Sequence, residues 1–531
     1  NAEKLPSTEY VTGNFIVKWN AENGGQLTVE HKDQPGFAVW QTIPGEAFLM
    51  SAAGDETVKE SRSIFNFQDH LSVVCAQQII NDFHQFKDER HGKSFFIVAG
   101  NLKCSDGKTV PYSFLLSGTP DDPATNELLL FPSLDDEKFN RMFLTFASNS
   151  KEHFFGFGEQ FTYFDMKGEK VPIWVSEQGI GRGEQPITFA ANITNRGAGG
   201  NEFTSYAPLP FYISSQMRSF SIMGNMTLHV PYPPYSTFDF RQNDRVQVEI
   251  WSPRIFAAIW YGDKPADFIQ SYTTQNGHMD VLPDWVYANA IVGMQGGTEK
   301  VQNVYEELKK RNTPITAFWL QDWVGQRTTS FGKQLWWNWE VDYDRYPGWD
   351  QMVADFKKDD VRVMVYVSPY LADIGNLKPN MRRNLFEEAK ENGYLVKNKD
   401  GEPYLVLNTD FYFGIVDLTN PEAWGWYQNV LKEQVVGSGA SGWMADFGES
   451  LPYDATLYAE KYVNIQAGTT HHAYPVLWAK ANREVVDDLG GNLVFFNRAA
   501  YTNSLKYAPL FWEGDQLVDW SAEDGIKSAV T

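Results

Sequence analysis

At 531 residues the chain is too long for one ordinary domain of about 150 residues, and an α/β barrel alone takes about 250. Its 45 basic against 67 acidic residues leave a net charge of -22, a field that repels nucleic acid and anionic membrane surfaces and excludes both as partners. No apolar run approaches the ~18–20 residues that a membrane-spanning helix needs.

Up to about Val281 the sequence predicts strands. Short apolar or alternating runs at 15–19, 71–75, 95–99 and 246–251 are separated by Gly, Asp, Asn and Pro clusters, the pattern of an all-β sandwich. The two cysteines, Cys75 and Cys104, fall in this region. Two thiols cannot build a disulfide framework or a zinc site, so they are either a pair across neighbouring strands or two buried thiols. Asn192-Ile193-Thr194 and Asn225-Met226-Thr227 match the glycosylation sequon of a glycoprotein, and the chain opens on Asn1 rather than Met. Together these favour a secreted, extracellular or periplasmic protein over a cytoplasmic one, although no signal-peptide h-region is visible.

The character changes at Leu282-Pro283-Asp284-Trp285. A strand at 288–294 is followed by a helix at 298–312 with Thr298 as its cap, a strand at 315–320, a helix around 350–358 and a strand at 361–367. A helix at 421–436 follows, with Asn420 capping and Pro421 in the first position, and then strands at 443–445, 493–496 and 510–512. Strands separated by helical text imply a parallel sheet or barrel. The expected fold is therefore α/β: a β-sandwich at 1–281, then a (β/α)8 TIM-type barrel at 282–531 of which strands 1–6 are present. A closed barrel needs eight strands, and an open half-barrel exposes apolar edges. The expectation is thus a truncated chain or a separate C-terminal fragment that completes the barrel; a homo-oligomer is a further partner expectation.

Two predicted strands end in carboxylates. Gly442-Trp443-Met444-Ala445 delivers Asp446, and Pro509-Leu510-Phe511-Trp512 leads to Gly514 and Asp515. Carboxylates at the ends of different barrel strands are the minimum equipment for cleaving a glycosidic bond. Asp446 suits a nucleophile, which must be ionised and fixed, and Glu449 is its nearest rival. Asp515 lies directly beyond an aromatic strand end, where burial would suit a proton donor; Glu513 and Asp519 compete for that role. The plainer alternative is that these carboxylates cap the next element. Arg498 falls between the two by strand order, where a guanidinium would hold the nucleophile ionised, bind a hydroxyl, or form a structural ion pair. Aromatic residues make up 15% of the chain, with 18 Trp, and either fill a large core or stack on pyranose faces; composition alone favours the core.

The segment 442–452, with Gly514-Asp515-Gln516 and Asp519-Trp520-Ser521, resembles glycoside hydrolase family 31, nearest its sulfoquinovosidase branch. Gly156-Phe157-Gly158-Glu159-Gln160-Phe161 and Ser176-Glu177-Gln178-Gly179-Ile180-Gly181-Arg182 resemble the N-terminal loop of that branch. Gln321-Asp322-Trp323, Trp337-Asn338-Trp339 and the run from Val416 to Ala423 agree. The resemblance implies a β-sandwich ahead of a (β/α)8 barrel and a retaining mechanism with Asp446 as nucleophile and Asp515 as acid/base. It implies no metal or cofactor, and the adjacent His471 and His472 lack a ligand spacing.

For the carbohydrate substrate, the resemblance implies a pocket of Gln295, Gln321, an arginine and Trp337. The arginine of the branch pairs with a sulfonate, and here that position is Gln334. One amide does not replace a guanidinium, since charge-assisted bonds are roughly twice as strong as neutral ones. Gln321 in turn stands where the α-glucosidases of the family carry an aspartate. The expected function is a retaining exo-α-glycosidase acting first on an α-glucoside and second on an α-sulfoquinovoside, with Arg327 or Lys333 as candidate compensating cations. The alternatives from other classes are a non-catalytic carbohydrate-binding scaffold and a lyase or transglycosylase of the same family.

Overall fold

The structure, a computed structural model, describes residues 5–88, 93–118, 126–194, 196–224, 232–330, 332–461, 467–490, 492–516, 520 and 525–530. The second sequon and Asp519 lie outside the described residues. The chain divides into two compact units, Asn1–His278 with Asp515–Thr531, and Met279–Gly514.

The first unit is built on antiparallel sheets, as the alternating runs predict. A four-stranded sheet takes Thr8–Thr12, Phe15–Asn20, Gln26–His31 and Ala38–Gln41 in chain order, and a thirteen-stranded sheet holds the remainder. Strand Arg245–Ile250 shows the cause: Val246, Val248 and Ile250 point inward while the residues between them are half-exposed, the two-residue period of a sheet buried on one face. The long hairpin Ile64–Asp88 with Lys93–Cys104 sets Cys75 directly opposite Cys104, and the two form a disulfide. Of the two readings for the cysteines, the cross-strand pair is the one observed. Asn192 of the first sequon is exposed on helix Ile187–Thr194.

The second unit carries five parallel strands in chain order: Ala290–Met294, Ile315–Leu320, Arg362–Val367, Gly442–Ala445 and Val494–Asn497. The second to fifth are almost wholly buried, so they read as unbroken apolar runs; the first lies on the sheet edge and is half-exposed. The strand expected at 510–512 shrinks to a single parallel bridge between Asn497 and Phe511. Gly514, at φ +84°, turns the chain immediately after it. Among the described residues the sheet is open, with no closed barrel.

Helices Thr298–Lys310, Trp349–Lys358, Pro421–Val430 and Ala473–Leu489 separate the strands. Asn420 caps its helix as predicted, its Oδ1 accepting the Glu422 N–H at 3.0 Å ahead of Pro421. Thr298 is not a cap. Gly297 holds that position at φ +86°, where a Cβ would come within 2.5 Å of the Arg345 carbonyl, and the Thr298 hydroxyl donates to Pro347 O instead. Trp323, Trp339, Trp349, Trp443 and Trp478 are fully buried, so these five tryptophans serve the core. Two small sheets went unpredicted: the hairpin Gln326–Thr329 with Gly332–Leu335, and the three-stranded set Tyr370–Leu371, Val406–Leu407 and Tyr412–Ile415. No helix among the described residues is long and apolar enough to cross a membrane.

Candidate active site

Four of the five parallel strands deliver a candidate at the very next residue. Met294 precedes Gln295, Leu320 precedes Gln321, Ala445 precedes Asp446, and Asn497 precedes Arg498. Parallel strands share one direction, so these four side chains line the C-terminal rim of the sheet, where α/β barrels keep their chemistry.

Asp446 is buried, and three groups fix it. Its Oδ1 forms an ion pair with Arg498 Nε at 3.2 Å, its Oδ2 accepts from the Tyr366 hydroxyl, and its backbone carbonyl accepts from Trp478 Nε1 at 3.2 Å. Burial, reinforced by the adjacent Asp446 charge, pushes the Tyr366 phenol well above its ordinary value, so it stays a neutral donor. The far end of the same guanidinium, Nη2, is bonded to Glu449, which is fully buried. Arg498 also lies 4.1 Å over the Phe447 ring. Phe447 itself sits at φ +59°, a sparsely populated conformation for a bulky residue that marks a tight turn directly after Asp446. A carboxylate so held, beside a guanidinium and with one fixed orientation, is suited to nucleophilic attack. Glu449, tied to Arg498 and sealed from solvent, is suited to positioning.

The amides form a chain. Gln326 Nε2 donates to Gln295 Oε1 at 2.8 Å, and Gln295 Nε2 donates to Gln321 Oε1 at 2.6 Å. Next to Gln321, the buried Asp322 accepts from Gly296 N–H at 3.0 Å, from Arg345 and from Tyr346, which ties the first strand end to the second. Trp337 is buried at φ +48° among the rings of Tyr370, Phe411, Phe413 and Phe447, at centroid distances of 5.0–5.9 Å. Gln334 pairs with Arg327 across the hairpin, and its Oε1 accepts from Asn408 Nδ2 at 2.6 Å. Of the two compensating cations, Lys333 is exposed. Arg327 lies between the rings of Phe411 and Trp336, at 3.9 and 4.3 Å, and donates to Trp336 O. Burial pushes its guanidinium down to about 10, which still leaves it a cation at neutral pH.

Asp515 belongs to the other unit, and its surroundings there are distinct. Its side chain is exposed rather than sheltered, and its Oδ2 lies 3.0 Å from the Tyr206 hydroxyl, which is also 2.5 Å from Glu177 Oε1. Gln178 Oε1 accepts the Asp515 backbone N–H at 3.0 Å. Its rival Glu513 is exposed. Sequence reasoning named neither Tyr206, Tyr366 nor Gln326 for the site. A tyrosine within a buried apolar run reads as core, and only a hydroxyl that needs a partner marks it out. His471 and His472 are buried, with His471 Nδ1 2.8 Å from Leu451 O. Among the described residues, no cluster of three His, Cys, Asp or Glu side chains is arranged to hold a metal.

The model of the glycosyl hydrolases family 31 TIM-barrel domain matches residues 279–525. A sulfoquinovosidase of Escherichia coli (strain K12) is 37% identical over 406 residues, covering 76% of this chain and 57% of that protein. A second sulfoquinovosidase, from Agrobacterium fabrum, is 37% identical over 399 residues, covering 74% and 57%. The solved structure of a GH31 family sulfoquinovosidase from E. rectale, in complex with an aza-sugar inhibitor, superposes with a TM-score of 0.79 at 30% identity, over 98% of this chain and 71% of that one. The chain therefore spans under three-fifths of the length of the two curated relatives.

Proposed function

The chain belongs to glycosyl hydrolase family 31, and from that premise we propose that it is a retaining exo-α-glycosidase whose substrate is an α-sulfoquinovoside. Asp446 is the nucleophile and Asp515 the acid/base. The observation that carries the reaction type is Asp446 itself, delivered by a strand end and pinned between Arg498 and Tyr366. In the first step Asp446 attacks the anomeric carbon while the departing oxygen takes a proton from Asp515. In the second, water gives its proton to Asp515 and its hydroxyl to the anomeric carbon, releasing Asp446. Gln295, Gln321, Gln334 and Trp337 contact the sugar, while Arg498 and Glu449 fix the nucleophile.

The substrate reading rests on similarity to proteins named as sulfoquinovosidases, and it displaces the α-glucoside that Gln334 suggested from sequence. An α-glucoside remains the second reading, because the position of the sulfonate-binding arginine holds a neutral amide already engaged with Asn408. The Cys75–Cys104 disulfide supports an exported protein, since such bonds persist in oxidising compartments.

Purified protein of confirmed intact mass should be assayed on the 4-nitrophenyl glycosides of α-sulfoquinovose, α-glucose and α-galactose. Turnover of the sulfoquinovoside above the others supports the proposal. Glucoside turnover alone installs the second reading, and no turnover on any glycoside leaves a binding scaffold.

A further inference from the structure

We infer that Gln326 is a positioning residue for sugar recognition: its amide sets the direction of the Gln295–Gln321 pair, so that the rim of the sheet presents N–H donors to the sugar. Gln295 directly follows Ala290–Met294, the strand at the open edge of the sheet, and the residue is exposed, so packing does not hold its side chain. Two hydrogen bonds do. Its Oε1 accepts from Gln326 Nε2 at 2.8 Å, and its Nε2 donates to Gln321 Oε1 at 2.6 Å. An amide has a donor end and an acceptor end, and turning it over exchanges them. If Gln295 alone turned over, two donors would meet at Gln326 and two acceptors at Gln321. The three amides therefore reverse only together, and the residue at 326 decides the direction. In the observed direction Gln321 Nε2 donates to nothing among the described residues, and both of its hydrogens are left for acceptor oxygens of the sugar.

A turn and a strand end bring the three together. Gln321 and Gln326 stand on either side of residues 322–325, a β-turn closed by the Gly325 N–H on Asp322 O at 2.9 Å. Gly325 sits at φ +76°, and a Cβ there would collide with Asp342 Oδ2, so only glycine leads the chain into Gln326. Gln326 then opens the hairpin, opposite the buried Leu335. From the neighbouring strand end, the Gly296 N–H donates to the buried Asp322 at 3.0 Å, which holds the backbone beside Gln295 against the same turn. Gln295 thus bridges the two shoulders of a turn whose backbone is fixed, while its own amide is fixed only by theirs.

The inference rests on the reading that Gln295 and Gln321 contact the sugar, and it adds the residue that orients them. Gln326 acts through Gln295, and its effect falls on binding, so it moves KM rather than kcat. In Gln326→Lys position 326 is donor-only and the direction is kept. In Gln326→Glu it is acceptor-only: the Gln295 N–H turns to it, the Gln295 oxygen turns to Gln321, and Gln321 faces the sugar with its oxygen. In Gln326→Met, close in length, position 326 bonds neither way.

The test measures KM and kcat for nitrophenyl α-glycosides in Gln326→Lys, Gln326→Met and Gln326→Glu, each alone and combined with Gln295→Met. Alone, Gln326→Lys should keep KM within about twofold, Gln326→Met should raise it roughly threefold and Gln326→Glu on the order of tenfold, with kcat held in all three. Combined with Gln295→Met, that order should vanish. A through-space effect of the new charges on an anionic sugar survives in the Gln295→Met background, so the difference between backgrounds reports the direction of the amides. Equal KM for the three variants, a spread that persists beside Gln295→Met, or the reverse order with Gln326→Glu retaining affinity would each overturn the role of Gln326. With KM raised in Gln295→Met alone, those outcomes leave the sugar contact standing. An unchanged KM in Gln295→Met removes the contact itself, and the inference with it. If the wild type binds a glycoside without turning it over, the same cycle is read as the calorimetric Kd of that glycoside.

Discussion

Arg498 places its Nε 3.2 Å from Asp446 Oδ1, an ion pair in which both side chains are more than nine-tenths buried. The same guanidinium closes on Glu449, so one cation serves two buried carboxylates. Removing it takes this guanidinium from both, and breaking a buried pair costs about 3–5 kcal/mol. Arg498→Met should lower the unfolding free energy on that scale, read as a drop in the urea midpoint. Arg498→Lys should fold better yet lose activity, because a single ammonium cannot span the two carboxylates as the planar fork does. An unchanged urea midpoint for Arg498→Met would show that the pair does not hold the fold together.

Tyr366 tunes the proposed nucleophile. A fluoro-sugar that traps the glycosyl intermediate should label the peptide containing Asp446, and a label on Glu449 or Asp515 would overturn the assignment. The Tyr366 hydroxyl bonds the charged form of the carboxylate and so favours it. Tyr366→Phe removes that bond, worth about 1.5 kcal/mol when one partner is charged. The acid limb of kcat/KM should then move to higher pH in the variant. A limb that stays put would show that the hydroxyl only fills space.

The rim of the parallel sheet was legible from sequence for a physical reason. Strands covered on both faces are uninterrupted apolar runs, so Trp443-Met444-Ala445 announces where Asp446 must emerge, and the same holds for Arg498, whereas Gln321 was named by the family resemblance alone. Local signals also failed locally. Thr298 looked like a cap because Thr often is one, but the close approach of Arg345 O demands the glycine before it. Contacts made across long stretches of chain leave no periodic trace. Glu177 meets Tyr206 across 29 residues and Tyr206 meets Asp515 across 309, and neither spacing carries a pattern. The order of the thirteen-stranded sheet was invisible for the same cause, as was Asn408 beside Gln334.

Buried tyrosines set an alkaline limit on stability. Burial pushes the phenols of Tyr366, Tyr370, Tyr427 and Tyr474 well above the ordinary value of 10.0. The folded state therefore holds these protons more tightly than the unfolded chain. Their contribution is fully present below the unfolded value and is lost as pH climbs past it, by up to about 1.4 kcal/mol per unit for each phenol. The urea midpoint should hold steady up to about pH 9 and fall steeply by about pH 11, with tyrosinate absorbance from these residues appearing only on unfolding. A midpoint that stays flat across that interval would mean that the phenols ionise in place.

Gln334 is where substrate choice can be tested directly. Its side chain faces Arg327 across the hairpin, and its oxygen is already engaged by Asn408, so the wild-type position offers a sulfonate only amide N–H groups. An arginine there would add a charge-assisted contact worth about 1.5–3 kcal/mol in good geometry. Gln334→Arg should therefore raise kcat/KM for α-sulfoquinovosides relative to α-glucosides by roughly tenfold or more. The Asn408 amide can rotate to present its oxygen to the new guanidinium, so the exchange need not leave a buried donor stranded. A ratio unchanged or lowered by the substitution would show that the sulfonate is not held at position 334. Arg327, fixed between Trp336 and Phe411 on the neighbouring strand, is then the next cation to remove, and Arg327→Met should abolish any preference for the anionic sugar.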